Sequence, residues 1–222
     1  MKKGYFKRLV VCITGLVLYA LGNALGVLAG AAGTNGWNTL AIGISRASGL
    51  TYGTSILACS FVIIAIDILG KGKLGIGTVL NVFLVAWFSD LILMLLQHLP
   101  QPTSILEGVI CTLAGQLVTA FATVVYMSPA LGAGPRDTLM VITGKLFPKI
   151  PIGAVKFGLE IAALVGGILL GADIGIGTVL VIALQASFFQ FACAVCRFEP
   201  RDIVQEDLID TWRILRGEQD PH

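Results

Sequence analysis

The sequence predicts an all-α membrane protein of six transmembrane helices. They form two inverted three-helix repeats, each with a short re-entrant or interfacial helix. Three observations predict this. Hydrophobic residues make up 56% and charged residues 13% of 222 residues, where a soluble domain carries about 25% charged residues; mean hydropathy is +0.88. The chain repeats itself: Leu74-Gly75-Ile76-Gly77-Thr78-Val79-Leu80 returns 100 residues later as Ile174-Gly175-Ile176-Gly177-Thr178-Val179-Leu180. Gly33-Thr34-Asn35-Gly36-Trp37-Asn38-Thr39-Leu40 is answered 99 residues later by Gly132-Ala133-Gly134-Pro135-Arg136-Asp137-Thr138-Leu139. Gly53 likewise answers Gly153, and Cys12 answers Cys111. Finally, Lys and Arg alternate between connections, as orientation in a bilayer requires. A duplicated unit in so apolar a chain is the pattern of carriers and of some channels.

A span needs about 20 predominantly apolar residues. Six segments qualify, about 9–32, 54–70, 74–97, 105–131, 152–170 and 174–196. Repeat 1 covers about 9–97 and repeat 2 about 105–196, within one transmembrane domain, 1–196, followed by an amphipathic tail, 197–222. Lys2, Lys3, Lys7 and Arg8 before the first segment, with Ala29-Gly30-Ala31 after it, resemble a signal peptide. The apolar run is longer than a signal core, and the fourth segment is its partner, so it is expected to stay as the first span.

With the N-terminus inside, the inner side receives Lys2, Lys3, Lys7, Arg8, Lys71, Lys73, Arg136, Lys145, Lys149, Arg197 and Arg201; the outer side receives Arg46. Both termini are then cytoplasmic. Three spans per repeat is an odd number, so the second repeat starts from the opposite side.

Two linkers are longer than loops need to be. Trp37–Ile44 and Asp137–Gly144 are apolar stretches too short to span, each after a Gly-rich turn. Pro135 suits a first helical position, and Asp137 then falls in the first turn, where its charge suits the helix dipole. Either both helices enter from opposite faces toward a polar site, or both lie flat at the interface.

The segment Gly134-Pro135-Arg136-Asp137-Thr138-Leu139-Met140, a short helix after it, and Gly-Ile-Gly-Thr-Val at the head of the last span resemble the YczE branch of the YczE/YyaS/YitT-like bacterial membrane proteins, over about residues 5–197. The resemblance implies a multi-pass protein of the bacterial inner membrane. It carries over no catalytic residues, and the chain stops short of the soluble C-terminal domain expected of the YitT branch.

Ionisable groups inside spans are costly and point to function by default. Glu160 lies roughly 12 Å into the fifth span at 1.5 Å per residue, with Lys156 one turn earlier; they form either a proton or ion site or a structural ion pair. Asp90 is answered by Gln190, so both halves place a polar group at one depth. Asp67, four residues before Lys71, is expected to form a snorkelling surface pair. Asn23, Gln116 and Gln185 interrupt spans, and such amides commonly bind helices together. Arg136 beside a glycine turn could hold an anion or anchor the inner face beside Asp137. The candidate solute-binding residues are therefore Asn38, Asp137, Arg136, Asp90, Gln190, Glu160, Lys156 and Asn23. The glycine patterns Gly22/Gly26/Gly30 let helices approach closely.

Cys193-x-x-Cys196 is a weak metal signal without a second ligand pair. No catalytic or phosphate-cradle constellation is present, so no enzyme activity, metal, cofactor or nucleic-acid partner is expected. In the tail, Val204, Leu208, Trp212 and Leu215 form an apolar stripe beside four Arg and seven Asp/Glu; it could lie on the membrane, dock on the protein's own inner face, or hold a partner. The expected partners are the lipid bilayer and a small polar or anionic solute, with homo-oligomerisation left open. The function expected is that of a secondary transporter or channel-like carrier; the alternative is an accessory membrane protein acting through partners.

Overall fold

The computed structural model describes residues 2–199 and 205–216. It is all-helical, with no strand among the described residues. The long helices are α1 (Lys2–Leu28), α3 (Tyr52–Leu69), α4 (Ile76–Leu96), α5 (Ile105–Met127), α7 (Ile152–Leu169) and α8 (Ile176–Cys196). The short ones are α2 (Gly36–Ser48), α6 (Pro135–Leu146) and α9 (Leu208–Arg216). All six predicted spans are helices. Five of them, α1, α3, α4, α5 and α8, are long and apolar enough to cross a membrane; α7, with Lys156 and Glu160, is not among the five.

Local chemistry sets the helix ends. Asn35 caps α2 by accepting from the Asn38 N–H at 2.9 Å, and Gly49 (φ 73°) ends it. Thr51 caps α3. Ser104 and Glu107 form a reciprocal capping box on α5. Gly134, Pro135 and Asp137 start α6 in the expected order.

The centre is the crossing of α1 and α5. Glycines make it close: a Cβ on Gly22 would sit 2.7 Å from the Gly115 carbonyl oxygen, and one on Gly115 would sit 2.6 Å from that of Gly22. The other elements pack both across and within the halves: α2 lies against α7 and α3, and α6 against α3 and α7. The glycine-rich head of α4 abuts the turn before α6: Gly77 N–H donates to Leu131 O at 2.7 Å, and the Thr78 hydroxyl to Ala133 O at 2.5 Å. The head of α8 abuts the turn before α2, where a Cβ on Gly175 would meet Ala31 O at 2.3 Å. Gly33 (φ 81°) and Gly132 (φ 115°) turn the chain there in a region that disfavours side chains. The repeated sequence motifs are thus each other's packing partners, each half supplying the turn for the other half's helix head.

One expectation changes, and one of the three placements open to the tail is taken. Asp67 is no surface pair with Lys71: it is fully buried, and neither carboxylate oxygen has a hydrogen-bond partner among the described residues. It faces inward because α6 covers that end of α3: a Cβ on Gly70 or Gly72 there would touch Ile142. The tail docks on the protein itself. Gln205 accepts from Gly132 N–H at 2.9 Å, Glu206 N–H donates to Ala130 O at 3.0 Å, and Leu208 N–H donates to Leu74 O at 3.0 Å. Buried Glu206 pairs with Arg8. Leu208, Ile209 and Trp212 remain exposed; Val204 lies outside the described residues.

Candidate functional site

The N-termini of α2 and α6 meet beside the α1–α5 crossing. Their equivalent residues touch: the Arg136 guanidinium sits over the Trp37 ring, 5.0 Å from its centroid. Such a cation–aromatic contact is worth about 0.5–2 kcal/mol, most when water is excluded. A polar cavity of about 90 Å³ opens around the pair. Tyr19, Asn35, Gln116, Thr119, Thr123, Arg136, Asp137, Lys156, Glu160, Gln185 and Phe189 are among its lining residues.

Each carboxylate in this cavity serves the protein. Glu160, 3% exposed, reaches from α7 to the start of α2, where its Oε1 accepts from Gly36 N–H at 2.7 Å. It satisfies a backbone donor that a helix start leaves free, and its charge suits the positive end of the dipole. The approach is close because residue 36 is glycine: a Cβ there would lie 2.2 Å from the Glu160 carbonyl oxygen. Asp137, in the first turn of α6, accepts from the Tyr126 hydroxyl at 2.5 Å. The cations are not paired with these carboxylates; Arg136 hydrogen-bonds Tyr19. No carboxylate lies within 4 Å of Arg136 or Lys156 among the described residues. The Lys156 ammonium instead lies 5.3 Å from the centre of the Phe189 ring. The anticipated Lys156–Glu160 ion pair is therefore not formed, since α2 takes the carboxylate.

A second, tighter space of about 20 Å³ lies beside the same Arg136, Asp137 and Tyr19. It is walled by Ile56, Ser60, Asn81, Val85 and Tyr126, with Gly134 and Pro135. Its walls match those of the larger cavity by repeat position: Ile56 answers Lys156, Ser60 answers Glu160, and Val85 answers Gln185, each 100 residues apart. One central group of side chains is thus flanked by two equivalent spaces of unequal size.

The size difference follows from helix packing. α3 is packed on α4, whereas α7 and α8 are not a packed pair among the described residues. Asp90 joins α4 to α3: its Oδ1 accepts from Gly53 N–H at 2.6 Å, and its Oδ2 from the Thr51 hydroxyl at 2.5 Å. A Cβ on Gly53 would sit 2.1 Å from Ala86 O, whereas one on Gly153 meets nothing within 4 Å. Gln190, the counterpart of Asp90, is exposed.

Of the residues singled out by sequence, Arg136, Asp137, Lys156 and Glu160 come together in the cavity. Asp90 and Gln190 lie outside its lining, each six residues before the C-terminal end of its helix, and Asp90 lines a separate groove between α3 and α4. Asn38 is buried and turned back toward Thr34 Oγ1 at 3.4 Å. Asn23 is buried in α1, its amide nitrogen without a partner among the described residues. Sequence reasoning missed Trp37, Tyr19 and Asn35. Trp37 had a signal, since it is the counterpart of Arg136. Gln116 and Gln185, read as helix glue, line the cavity; Gln116 Oε1 accepts from the Asn35 amide at 3.5 Å.

Comparison with known proteins agrees with the resemblance carried by Gly134–Met140. The chain is 33% identical over 188 residues to an uncharacterized protein of Haemophilus influenzae, covering 84% of this chain and 83% of that one. It is 29% identical over 194 residues to the uncharacterized membrane protein YczE of Bacillus subtilis, covering 86% and 88%. It is 28% identical over 171 residues to the uncharacterized protein YyaS of the same organism, covering 77% and 84%. No solved structure matches it significantly. The family of unknown function DUF6198 matches residues 6–194, nearly the whole helical part. The chain is a membrane protein, and it belongs to the DUF6198 family.

Proposed function

We propose that this protein is a carrier that moves a small polar solute across the bacterial inner membrane by alternating access. In this reading α7 is the sixth crossing. The halves α1–α4 and α5–α8 are inverted repeats, α2 and α6 are re-entrant, and both termini are cytoplasmic. No catalytic step is assigned. The observation that carries the proposal is the pair of equivalent spaces, about 90 and 20 Å³, on either side of Tyr19, Arg136 and Asp137. A carrier built from inverted repeats holds its two halves in different conformations and exchanges them. Here α3–α4 is the closed gate and α7–α8 the open one. With the N-terminus inside, the first gate lies at the outer end and the second at the inner end, so the conformation is inward-open. Exchange would close Gly153 and Gln190 of the second half together while parting Gly53 from Asp90.

Polar lining supports transport over an accessory role, because a scaffold can be packed dry. The cavity is small. At about 90 Å³ it has room for a few waters or a solute of a few heavy atoms. The test is flux through purified protein in liposomes, screened with small solutes. Saturable uptake that Arg136→Gln abolishes in folded protein is expected. Liposomes tight to every solute that stabilises the protein would overturn the proposal.

A further inference from the structure

We infer that the cavity binds a small monoanion, such as a carboxylate or an inorganic oxyanion, with Arg136 as its principal ligand and Lys156 as a second charge on the open side. The inference rests on the solute site proposed above and adds its chemical class. Arg136, Lys156, Asp137 and Glu160 line the space together, so formal charges cancel. The two carboxylates, however, sit at the starts of α2 and α6. A helix N-terminus carries roughly half a positive charge. Two of them leave the site with a net charge of about +1, held on two cations that have no carboxylate within 4 Å among the described residues.

The geometry agrees with the charge. The guanidinium lies over the Trp37 ring and hydrogen-bonds the neutral Tyr19 hydroxyl, with no carboxylate on it; its planar fork is the group that binds a carboxylate or oxyanion through two parallel hydrogen bonds. Arg136 borders both spaces, so a bound anion keeps this ligand whichever side is open. Lys156 borders the open space only, and its counterpart in the closed one is Ile56. The anion therefore meets a second charge on one side and none on the other, which makes release from the two sides unequal. Tyr19, Asn35, Gln185 and Thr123 supply neutral hydrogen-bonding groups around it.

The full chain provides its own reporter. Trp37 lies against Arg136, and the remaining tryptophans, Trp87 and Trp212, are both exposed. In a Trp87→Phe, Trp212→Phe background in detergent, Trp37 fluorescence is followed while sodium formate, acetate, nitrate or dihydrogen phosphate is added. Sulfate, urea and glycerol are run at matched ionic strength. At least one monoanion is expected to give a saturable change. Arg136→Gln should abolish it, and Lys156→Gln, at an exposed position, should weaken it roughly tenfold. Saturation by urea or glycerol and by none of the monoanions would overturn the anion assignment while leaving a carrier of neutral solutes intact. A monoanion response unchanged in Lys156→Gln and Arg136→Gln alike would also overturn it. Monoanion binding without flux would keep this inference and sink the carrier.

Discussion

The two halves of the molecule share landmarks yet differ wherever the landmarks bear load. In the first half Gly53 is pressed against α4 and Asp90 caps α3; in the second, Gly153 faces open space and Gln190 is exposed. The first half has Ser60 where the second has Glu160, and Trp37 where the second has Arg136. Asp67 on α3 is answered by Gly167, whose missing side chain lets the backbone of α2 approach: a Cβ there would meet Thr39 O at 2.6 Å. Duplication supplies the shared frame, and substitution at equivalent places makes the two central spaces unequal, about 90 Å³ beside Lys156, Glu160 and Gln185 and about 20 Å³ beside Ile56, Ser60 and Val85. In a bilayer, where burial of apolar surface does not drive helices together, such single residues decide which pairs close.

The sharpest way to test the comparison is to mutate the equivalent glycines. Gly53→Ala forces a Cβ to 2.1 Å from a backbone oxygen; it is expected to cost about 1–3 kcal/mol, the usual cost of overpacking. Gly153→Ala meets nothing and should leave stability unchanged or raise it by up to about 1 kcal/mol through helix propensity, yet it should slow transport by obstructing closure of α7 on α8. Thermal unfolding in detergent and liposome flux read the two effects; equal destabilisation by both variants would contradict the asymmetry.

Next comes Glu160. Removing it strands the Gly36 N–H at the start of α2, so Glu160→Ala should cost about 1.5–3 kcal/mol, the range for hydrogen bonds to charged groups. Glu160→Gln keeps an acceptor and should cost less. Ser60→Ala, the equivalent change, should stay within about 1 kcal/mol. Because Lys156 does not pair with Glu160, Lys156→Gln should not rescue Glu160→Ala. A double-mutant cycle showing coupling well above ~0.5 kcal/mol would restore the ion pair.

Asp67 gives a change of opposite sign. A buried carboxylate without a partner is unfavourable, so Asp67→Asn should raise the unfolding temperature at neutral pH by a few degrees, about 1 kcal/mol. A lower unfolding temperature would reveal a partner for the charge.

The smallest effect concerns the exposed Arg46–Asp173 pair at 2.7 Å. The Arg46 hydrogen bond, then its charge, hold the Asp173 carboxyl below its usual 3.8. A depressed carboxylate contributes stability above the unfolded value, and the contribution is lost as pH falls through the folded value. Asp173→Asn should therefore cost slightly more at pH 7 than at pH 3, and the difference should shrink in salt. A larger cost at pH 3 would contradict the sign.

Much of this was legible in the sequence. Helix positions followed from apolar length and, for α6, from the glycine turn with Pro135 and Asp137; the caps at Asn35, Thr51 and Ser104 emerged only in the structure. The paired glycine turns marked where the chain approaches itself. What sequence could not reveal is which landmark meets which. Two copies of one motif carry no label saying whether a turn packs within its own half or across, and the crosswise contacts of Gly33 with Thr178 and of Gly132 with Gly75 decide that. The roles of the ionisable groups were hidden for the same reason. Lys156 and Glu160 are one turn apart, so pairing looked natural, but the backbone of α2 competes for the carboxylate from more than 100 residues away. Asp67 looked like an interfacial residue until α6 was laid over it.

The central claim is that the halves exchange conformations. Spin labels at Thr54 and Trp87 report the α3–α4 gate, and labels at Ala154 and Ser187 report the α7–α8 gate; all four positions are exposed. Pulsed dipolar distances would be measured in liposomes, with and without a solute that stabilises the protein. The account predicts two populations related by opposite movements: when α7–α8 shortens, α3–α4 lengthens. Distances that stay fixed in every condition, or that lengthen and shorten together, would contradict it.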